Sequence, residues 1–514
     1  MNSTTQQKFC RRKRRIQKRL ARRRFAFQAG RAFAASNIAY EVAGRDLALS
    51  AGGIGAIHLL ARNIGLPEII DRHIHVLKIH LPYQESDHVL NIAYSILAGG
   101  TCLEDLELRR NSEAYLNALG AECIPDPTTA GDFCRRFSTD EQIVLLMECF
   151  NEARLKVWKQ QEPEFFNLAV IDADGTIAPT YGECKQGMDL TYDCQWGYHP
   201  LLISLANTKE VLYLVNRPGN RPSHEQADQY LDKAALLCLG GGFTHVLFRG
   251  DTDFEQTWKL DGWDASGRIT FIFGADACAA LVGRAQTLPP EAWRRLERPT
   301  PYEVKTEPRT KPENVKEQLV RKKGFKNFVL QWEDVAEFEY RPTLCKRTYR
   351  MIALRKKINV EKGQEKLFEM YRYFFYITND RASTAEEIVY SANDRCDQEN
   401  LIEQIKNGVR ALRNPLDNLH SNWAYMVMSS LAWTLKAWAG LLLPVTPGAP
   451  AEKHREQKRL ILKMEFKRFV NGLIQLPCQI VRTGRRIVYR LLAWNPWAAP
   501  LIRLAEAMRR SLRC

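Results

Sequence analysis

Three features of secreted or disulfide-bonded proteins are missing from this 514-residue chain. Its 13 cysteines include no Cys-x-x-Cys pair, and their number is odd. This pattern favours reduced thiols over a disulfide framework or a structural zinc site. The basic N-terminus is not followed by an apolar segment, so we expect no secretory signal. We therefore expect a cytoplasmic protein.

Long hydrophobic runs are scarce as well. Residues 424–443 are apolar enough to be considered as a membrane span, but Lys436 interrupts them. A lysine at the centre of a span costs about 2.5–3.5 kcal/mol on insertion scales. We interpret the stretch as a buried helix and expect no membrane partner.

Histidines with metal-ligand spacing are also lacking. The best group comprises His73, His75, His80 and His88, and its spacing matches no common ligand pattern. We interpret these side chains as core or solvent-exposed histidines.

Positive charge, in contrast, is abundant. The chain has 74 basic and 59 acidic residues, for a net charge of +15. Residues 11–24 contain no acid and begin with Arg11, Arg12, Lys13, Arg14 and Arg15. Such blocks usually stay disordered or solvated until they meet opposite charge. We predict an arm that neutralises nucleic-acid phosphates, with a plain solvated arm as the alternative.

Helical periodicity follows the basic arm. From residue 54 to about 158, apolar residues recur at spacings of three and four, which predicts a bundle of short helices. Beside a basic arm, such a bundle suits a DNA-binding module of helix-turn-helix type. A plain helical scaffold fits the pattern equally well.

A short apolar run that ends in carboxylates is the most informative stretch. Residues 168–171 are apolar and lead into Asp172-Ala173-Asp174-Gly175-Thr176. The pattern predicts a buried strand that ends in acids. A buried carboxylate needs a positive partner, and a divalent cation is one such partner.

A second acid follows a later strand of the same kind. The pattern predicts strands at 199–206 and 211–215, a helix to about 238, and a strand at 245–249 that leads into Asp251. A short helix and a strand at 269–273 come next. Residues 279–370 then predict a β-rich insertion with a basic face, and residues 371–378 another strand.

A third acid lies on a late helix, predicted from about 396 to 412. Glu399 has Arg395 one turn before it and Lys406 two turns after it, so the three side chains would share one face. Taken alone, this is a solvated ion-pair face. Its place after the strand and helix series favours a functional site.

This ordered set resembles the RNase H-like DDE transposases of bacterial insertion sequences, most closely the insertion-sequence thirteen-eighty group. The matching segments are 171–176, 198–202, 217–220, 248–251, 377–379 and 399–406. Two positions depart from that pattern. Ala392 replaces a tyrosine, and Asp253 stands where glycine or alanine is frequent, so Asp253 is a rival for Asp251.

The resemblance implies an α/β fold with an RNase H-like catalytic core, a mixed sheet flanked by helices, a β-rich insertion, and helical regions at both ends. It implies six segments: a basic arm (1–50), a helical DNA-binding region (51–165), the first part of the core (166–278), the insertion (279–370), the last core strand and acidic helix (371–415), and a helical basic region (416–514).

The function implied by this resemblance is cleavage and joining of DNA strands by two-metal, in-line phosphoryl transfer. Asp174, Asp251 and Glu399 would be catalytic and would hold two Mg²⁺ or Mn²⁺ ions. Arg395 and Lys406 would contact the DNA backbone. The partners would be the terminal inverted repeats and target DNA, with a homodimer in the synaptic complex, in the bacterial cytoplasm at the nucleoid.

Two other functions stay open from the residues. The run from Asp172 to Thr176 also fits a phosphatase of the haloacid-dehalogenase type, with Asp172 as nucleophile, Asp174 as general acid, and Lys233 near Asp251. That class expects a helical crossover after the first strand, whereas a hairpin is predicted here. A basic nucleic-acid-binding protein without catalysis would follow if the three acids do not converge.

Overall fold

The computed structural model describes residues 3–23, 47–78, 80, 82–298, 314–362, 365–483, 486–510 and 512. The helices are α1 (Ser3–Arg23), α2 (Ile54–Asn63), α3 (Leu66–His73), α4 (Glu85–Leu97), α5 (Leu106–Arg110), α6 (Glu113–Leu119), α7 (Pro127–Arg135), α8 (Asp140–Trp158), α9 (Ala227–Gly240), α10 (Thr257–Ala265), α11 (Ala279–Gln286), α12 (Val315–Lys322), α13 (Ala385–Asp394), α14 (Cys396–Glu403), α15 (Leu419–Leu441), α16 (Ala451–Lys463), α17 (Phe466–Phe469) and α18 (Ala498–Ala507).

The strands are β1 (Ala48–Leu49), β2 (Leu168–Gly175), β3 (Ala178–Pro179), β4 (Asp189–Leu190), β5 (Trp196–Tyr198), β6 (Leu201–Leu205), β7 (Glu210–Val215), β8 (His245–Gly250), β9 (Ile269–Ala275), β10 (Arg294–Arg295), β11 (Lys326–Tyr340), β12 (Tyr349–Lys362), β13 (Glu365–Thr378), β14 (Cys478–Thr483) and β15 (Arg486–Leu491).

The chain divides into two compact units. The first unit comprises Met1–Phe165, Thr176–Arg221 and Asn400–Cys514. The second comprises Phe166–Gly175 and Pro222–Glu399. Residues 24–46 of the predicted arm and 299–313 of the predicted insertion lie outside the described residues.

A buried helix organises the first unit. α15 packs against α4, α8, α16 and β7, and Lys436 within it is fully buried. The Lys436 ammonium donates to the Leu462 carbonyl at 2.8 Å and lies 3.8 Å from the centre of the Trp433 ring. The buried-helix interpretation of 424–443 is confirmed, and no helix in the described ranges is long and apolar enough to cross a membrane.

The basic N-terminal segment is a helix over the residues that the structure describes. Arg, Lys and Gln dominate α1 and are good helix formers. Thr5, Phe9 and Arg12 are half-buried and lie on one stripe, while the neighbouring basic side chains are exposed. Arg12 donates to the Leu491 carbonyl at 2.7 Å. Ser3–Arg23 is therefore a solvent-exposed basic helix, and its binding of nucleic acid stays a prediction.

The C-terminal region contains a β-hairpin. β14 and β15 pair antiparallel, and β1 pairs with β14. The expectation that 416–514 is helical does not hold here. The strands contain Ile480, Val481, Ile487, Val488 and Tyr489, and β-branched and aromatic residues favour extended structure.

The second unit is built on a mixed sheet. Seven of its strands lie side by side in the order β10-β11-β12-β13-β9-β8-β2. β2, β8 and β9 are parallel, with Ile171 opposite Phe248 and Phe248 opposite Phe271. β13, β12, β11 and β10 continue the sheet antiparallel.

The predicted insertion is part of this sheet, and its described residues are not all β. α11 and α12 also fall within 279–370. β11, β12 and β13 are long antiparallel strands, and β13 begins at Glu365 rather than at the predicted residue 371. β13 starts earlier than predicted because it pairs with β12 there. Val360 of β12 lies opposite Phe368, which precedes the predicted start at residue 371.

Helices flank the second unit's sheet, as expected. α9 packs against β2 and β8, and α13 packs against β9, β11, β12 and β13. An apolar cluster joins α13 to the strands through Ile272, Ile352, Leu354, Ile388 and Val389. A mixed sheet flanked by helices is therefore confirmed for this unit.

Candidate active site

Two of the predicted acids end neighbouring parallel strands. Asp174 is the last residue but one of β2, and Asp251 follows the final residue of β8. Because β2 and β8 run parallel in register, their carboxyl ends meet at one edge of the sheet. Gly250 lets β8 turn there, since a Cβ on it would lie 2.6 Å from the Phe254 Cβ.

One guanidinium lies between these two acids. Arg395 Nη1 is 3.6 Å from Asp174 Oδ2 and 3.9 Å from Asp251 Oδ2. The two carboxylate oxygens are therefore no farther apart than the sum of these distances. Arg395 stands at the turn between α13 and α14, so the break in the helix places its side chain over the acid edge.

Burial and neighbouring carboxylates make both acids reluctant to ionise. Burial, followed by the charge of Asp251, raises the pKa of Asp174 to about 7, although Arg395 acts against this shift. Burial also raises the pKa of Asp251, again opposed by Arg395. The Asp251 carboxylate additionally accepts a hydrogen bond from the Asp253 amide at 3.0 Å. The site is one that a cation would stabilise.

Glu399 lies close enough to influence both aspartates. Its charge contributes to the raised pKa of Asp174 and of Asp251. It lies on α14 and is exposed to solvent. Within the described part of the chain, no three His, Cys, Asp or Glu side chains are arranged as they stand to hold a metal ion.

Asp172, the remaining acid of β2, faces a different partner. It is buried, and Arg249 of β8 binds it through two hydrogen bonds, Nε to Oδ1 at 2.7 Å and Nη2 to Oδ2 at 2.8 Å. Arg249 Nη1 also donates to the Ser391 carbonyl on α13 at 2.9 Å. A carboxylate enclosed in this way is poorly placed to act as a nucleophile, which disfavours the phosphatase.

Arg249 is the residue whose role the sequence reasoning missed. Asp172 precedes Asp174 by two residues, and Arg249 precedes Asp251 by two residues. Side chains alternate between the two faces of a strand, and β2 and β8 are parallel and in register. Asp172 and Arg249 would therefore lie side by side as an ion pair. That spacing is the signal from which the pair could have been predicted.

A cavity of about 540 Å³ opens beside Asp251 and Arg395 within the same unit. Its wall includes residues 371–376 of β13 and residues 274–275 of β9. β13 pairs with β9 over 375–378 and continues past it, which leaves room next to the acids.

Lys406 lies on a different element from the one predicted. α14 ends at Glu403, and a π-helical turn, Gln404–Gly408, follows it. The prediction of one regular helix over 396–412 is therefore wrong, and Glu399 and Lys406 do not share a regular helical face. The Lys406 ammonium donates to the Ile177 carbonyl at 3.1 Å, and both residues belong to the first unit.

The five arm residues predicted to bind DNA, Arg11 to Arg15, all lie on α1. Arg11, Lys13, Arg14 and Arg15 are exposed, and the Lys13 ammonium lies 5.6 Å from the centre of the Trp494 ring. Arg12 is the exception, because it donates to the backbone carbonyls of β15 and the residues that follow it. Arg12 therefore holds α1 against β15.

The profile of the transposase DDE domain group 1 family matches residues 31–513. No protein of curated function matches the sequence. The cryo-EM structure of a piggyBac transposase synaptic complex with hairpin DNA is similar over 83% of this chain and 84% of that chain, at 8% identity and a TM-score of 0.34. A TM-score of this size does not establish a common fold.

Proposed function

Because the chain belongs to the transposase DDE domain group 1 family, we propose that it is a DNA transposase of a bacterial insertion sequence. It would bind terminal inverted repeats and would cleave and join DNA strands. The observation that supports this most is the guanidinium shared by Asp174 and Asp251 at the ends of two parallel strands. We place it in the insertion-sequence thirteen-eighty group on the motifs quoted above.

An RNase H-like core is the architecture we propose for the second unit. Its support is the run of three parallel strands, β2, β8 and β9, with acids at the ends of the first two. Antiparallel strands extend the sheet from β9, and α14 then carries the third acid.

The residues present fit divalent cations. Arg395 already puts one positive charge within 4 Å of both aspartates, and carboxylate oxygens are the ligands that Mg²⁺ and Mn²⁺ prefer. Asp174, Asp251 and Glu399 would hold two such ions. When bound, these would activate the attacking oxygen and stabilise the leaving oxygen of an in-line displacement. Glu399 has to approach from its exposed position for this.

The Arg395 side chain would change its partner when DNA binds. Its guanidinium would leave the aspartates for a phosphate near the cleaved bond, where it can donate two parallel hydrogen bonds. In cleavage, a water oxygen bonds to phosphorus as the bond from phosphorus to the 3′ oxygen breaks. In joining, the freed 3′-hydroxyl bonds to a phosphorus of the target DNA as the bond from that phosphorus to its own 3′ oxygen breaks, which leaves a 3′-hydroxyl on the target strand. Positioning and charge do most of this work.

Further DNA contacts would come from the first unit. We propose that Arg11, Lys13, Arg14 and Arg15 bind duplex phosphates, because they are exposed on one helix. Lys406 would contact the backbone after giving up its carbonyl partner. The helices of 51–165 would bind the repeat. Two copies would hold the two element ends together, at the bacterial nucleoid.

Nicking of a supercoiled plasmid that carries two terminal repeats tests the proposal. Wild type should nick at the repeat ends when Mg²⁺ or Mn²⁺ is present. Asp174→Asn and Asp251→Asn should each lower the nicking rate by about a hundredfold or more. Asp253→Asn is the matched control, since it removes the same charge two residues away from Asp251. Its nicking rate should stay within a few fold of the wild-type rate.

Three outcomes would contradict this assignment. Equal losses in Asp251→Asn and Asp253→Asn would remove the distinction between the two acids. Absence of nicking, together with turnover of a phosphate monoester that depends on Asp172, would replace the transposase with the phosphatase. Metal-independent binding of the plasmid without any nicking would favour a non-catalytic basic protein.

A further inference from the structure

A turn-rich segment of the first unit, residues 180–196, holds large aromatic side chains in solvent; we call it the aromatic flap. Tyr181 is 96% exposed, Tyr192 is 82% exposed and Trp196 is 56% exposed. Exposed aromatic surface of this kind marks binding sites, because tyrosine and tryptophan are the residues that contribute most at interfaces. The reaction proposed above uses none of the three.

The aromatic flap is held in a fixed conformation. The Thr191 amide donates to the Gln195 carbonyl at 2.8 Å, and the Gln195 amide donates to the Thr191 hydroxyl at 3.1 Å. Tyr192 therefore projects from a closed turn. At the root of the flap, the Gln186 amide donates to the Asp417 carbonyl at 2.8 Å. A side chain that is already positioned loses little freedom on binding, which favours affinity.

A groove runs along the flap. Its volume is about 630 Å³, and its walls include Pro179, Tyr181, Met188, Cys194 and Trp196. Such walls suit apolar side chains and the flat faces of guanidinium groups, which stack on aromatic rings. The groove has the size and lining of a site for side chains from a partner.

The charge of the flap is opposite to that of the chain. It carries Glu183, Asp189 and Asp193 and a single basic residue, Lys185. The Lys185 ammonium is occupied, since it donates to the Asn414 carbonyl. An acidic aromatic surface repels DNA phosphates and attracts arginine and lysine side chains. The occupant that fits is a basic protein surface.

We propose that the aromatic flap binds the basic surface of a second copy of this chain. Each copy has a net charge of +15, so two copies repel each other unless an acidic surface on one meets a basic surface on the other. The flap supplies that acidic surface together with aromatic anchors. This inference names the contact surface for the pairing of two copies and rests on that part of the proposed function.

Sedimentation velocity of the full chain without DNA, over a concentration series, tests the proposal. The double variant Tyr181→Ala with Trp196→Ala should weaken self-association by about 30-fold or more, as loss of interface anchors does. Glu183→Lys should weaken it as well, and added salt should reduce the difference from wild type. Trp258→Ala is the matched control, because Trp258 is 53% exposed on α10 of the second unit. It should associate like wild type.

The outcomes separate this proposal from the catalytic one. Self-association that is unchanged in the double variant overturns the flap assignment, whatever the nicking activity. A wild-type chain that stays monomeric throughout the series overturns it too. A double variant that loses DNA affinity while self-association persists would assign the flap to DNA. Circular dichroism and the melting temperature confirm that each variant is folded.

Discussion

Replacing Asp174 by asparagine should stabilise the metal-free protein at pH 8. The pKa of this buried carboxyl is raised to about 7, so the folded state binds a proton between about pH 4 and 7 that the unfolded state has lost. The cost of ionising Asp174 is therefore absent at low pH and complete above pH 7. At about 1.4 kcal/mol for each pKa unit, it reaches up to roughly 4 kcal/mol.

Asparagine removes this cost but loses the contact with Arg395. We therefore expect the free energy of unfolding to rise by roughly 1–3 kcal/mol at pH 8 and by almost nothing at pH 4. Urea unfolding in EDTA at both pH values measures it. Asp172→Asn is the matched control, because it breaks the buried pair with Arg249 and should cost about 3–5 kcal/mol. Added Mn²⁺ should raise the melting temperature of wild type at pH 8 but not that of Asp174→Asn.

A destabilised Asp174→Asn at pH 8, or a gain of the same size at pH 4, would refute this reasoning. Destabilisation at pH 8 would mean that the surroundings compensate the charge of Asp174, and an equal gain at pH 4 would mean that the gain does not come from removing that charge. The site would then have no special need of a cation.

Three further predictions concern the first unit. Burial lowers the pKa of Lys436 to about 7, so stability should rise between pH 7 and 10, and Lys436→Met should abolish that slope in urea unfolding. Glu210 is fully buried and accepts from Arg154, Trp158, Trp438 and Thr208. Glu210→Ala should therefore cost about 3–5 kcal/mol in the same assay. Arg11→Ala should lower the affinity for duplex DNA and should reduce the salt dependence of binding by about one phosphate contact. Arg12→Ala should instead make α1 sensitive to cleavage by trypsin.

The positions of the parallel core strands of the second unit along the chain were largely predictable. Strands expected at 245–249 and 269–273 appear as β8 and β9. Buried parallel strands are continuous apolar runs, and such runs are visible in a single sequence. The C-terminal hairpin was missed because its short amphipathic strands, β14 and β15, resemble the flanking basic helices in composition.

The candidate site was predictable only in part. Asp174 and Asp251 followed from strand ends, which a sequence displays directly. The position of Arg395 between them depends on the turn between α13 and α14 and on how α13 packs on the sheet. The π-helical turn that carries Lys406 has no local signal, because a Phe466 amide bonded to the Gln404 side chain supports it from far along the chain.

In the proposed function, Asp174, Asp251 and Glu399 act together on DNA. The most direct test is cleavage of a labelled duplex that ends in the element's own terminal repeat, with Mg²⁺, by wild type, Glu399→Gln and Asp397→Asn. The proposed function predicts cleavage at the repeat end by wild type and Asp397→Asn, and none by Glu399→Gln. Cleavage that survives in Glu399→Gln would contradict it and would move the third acid elsewhere on α14.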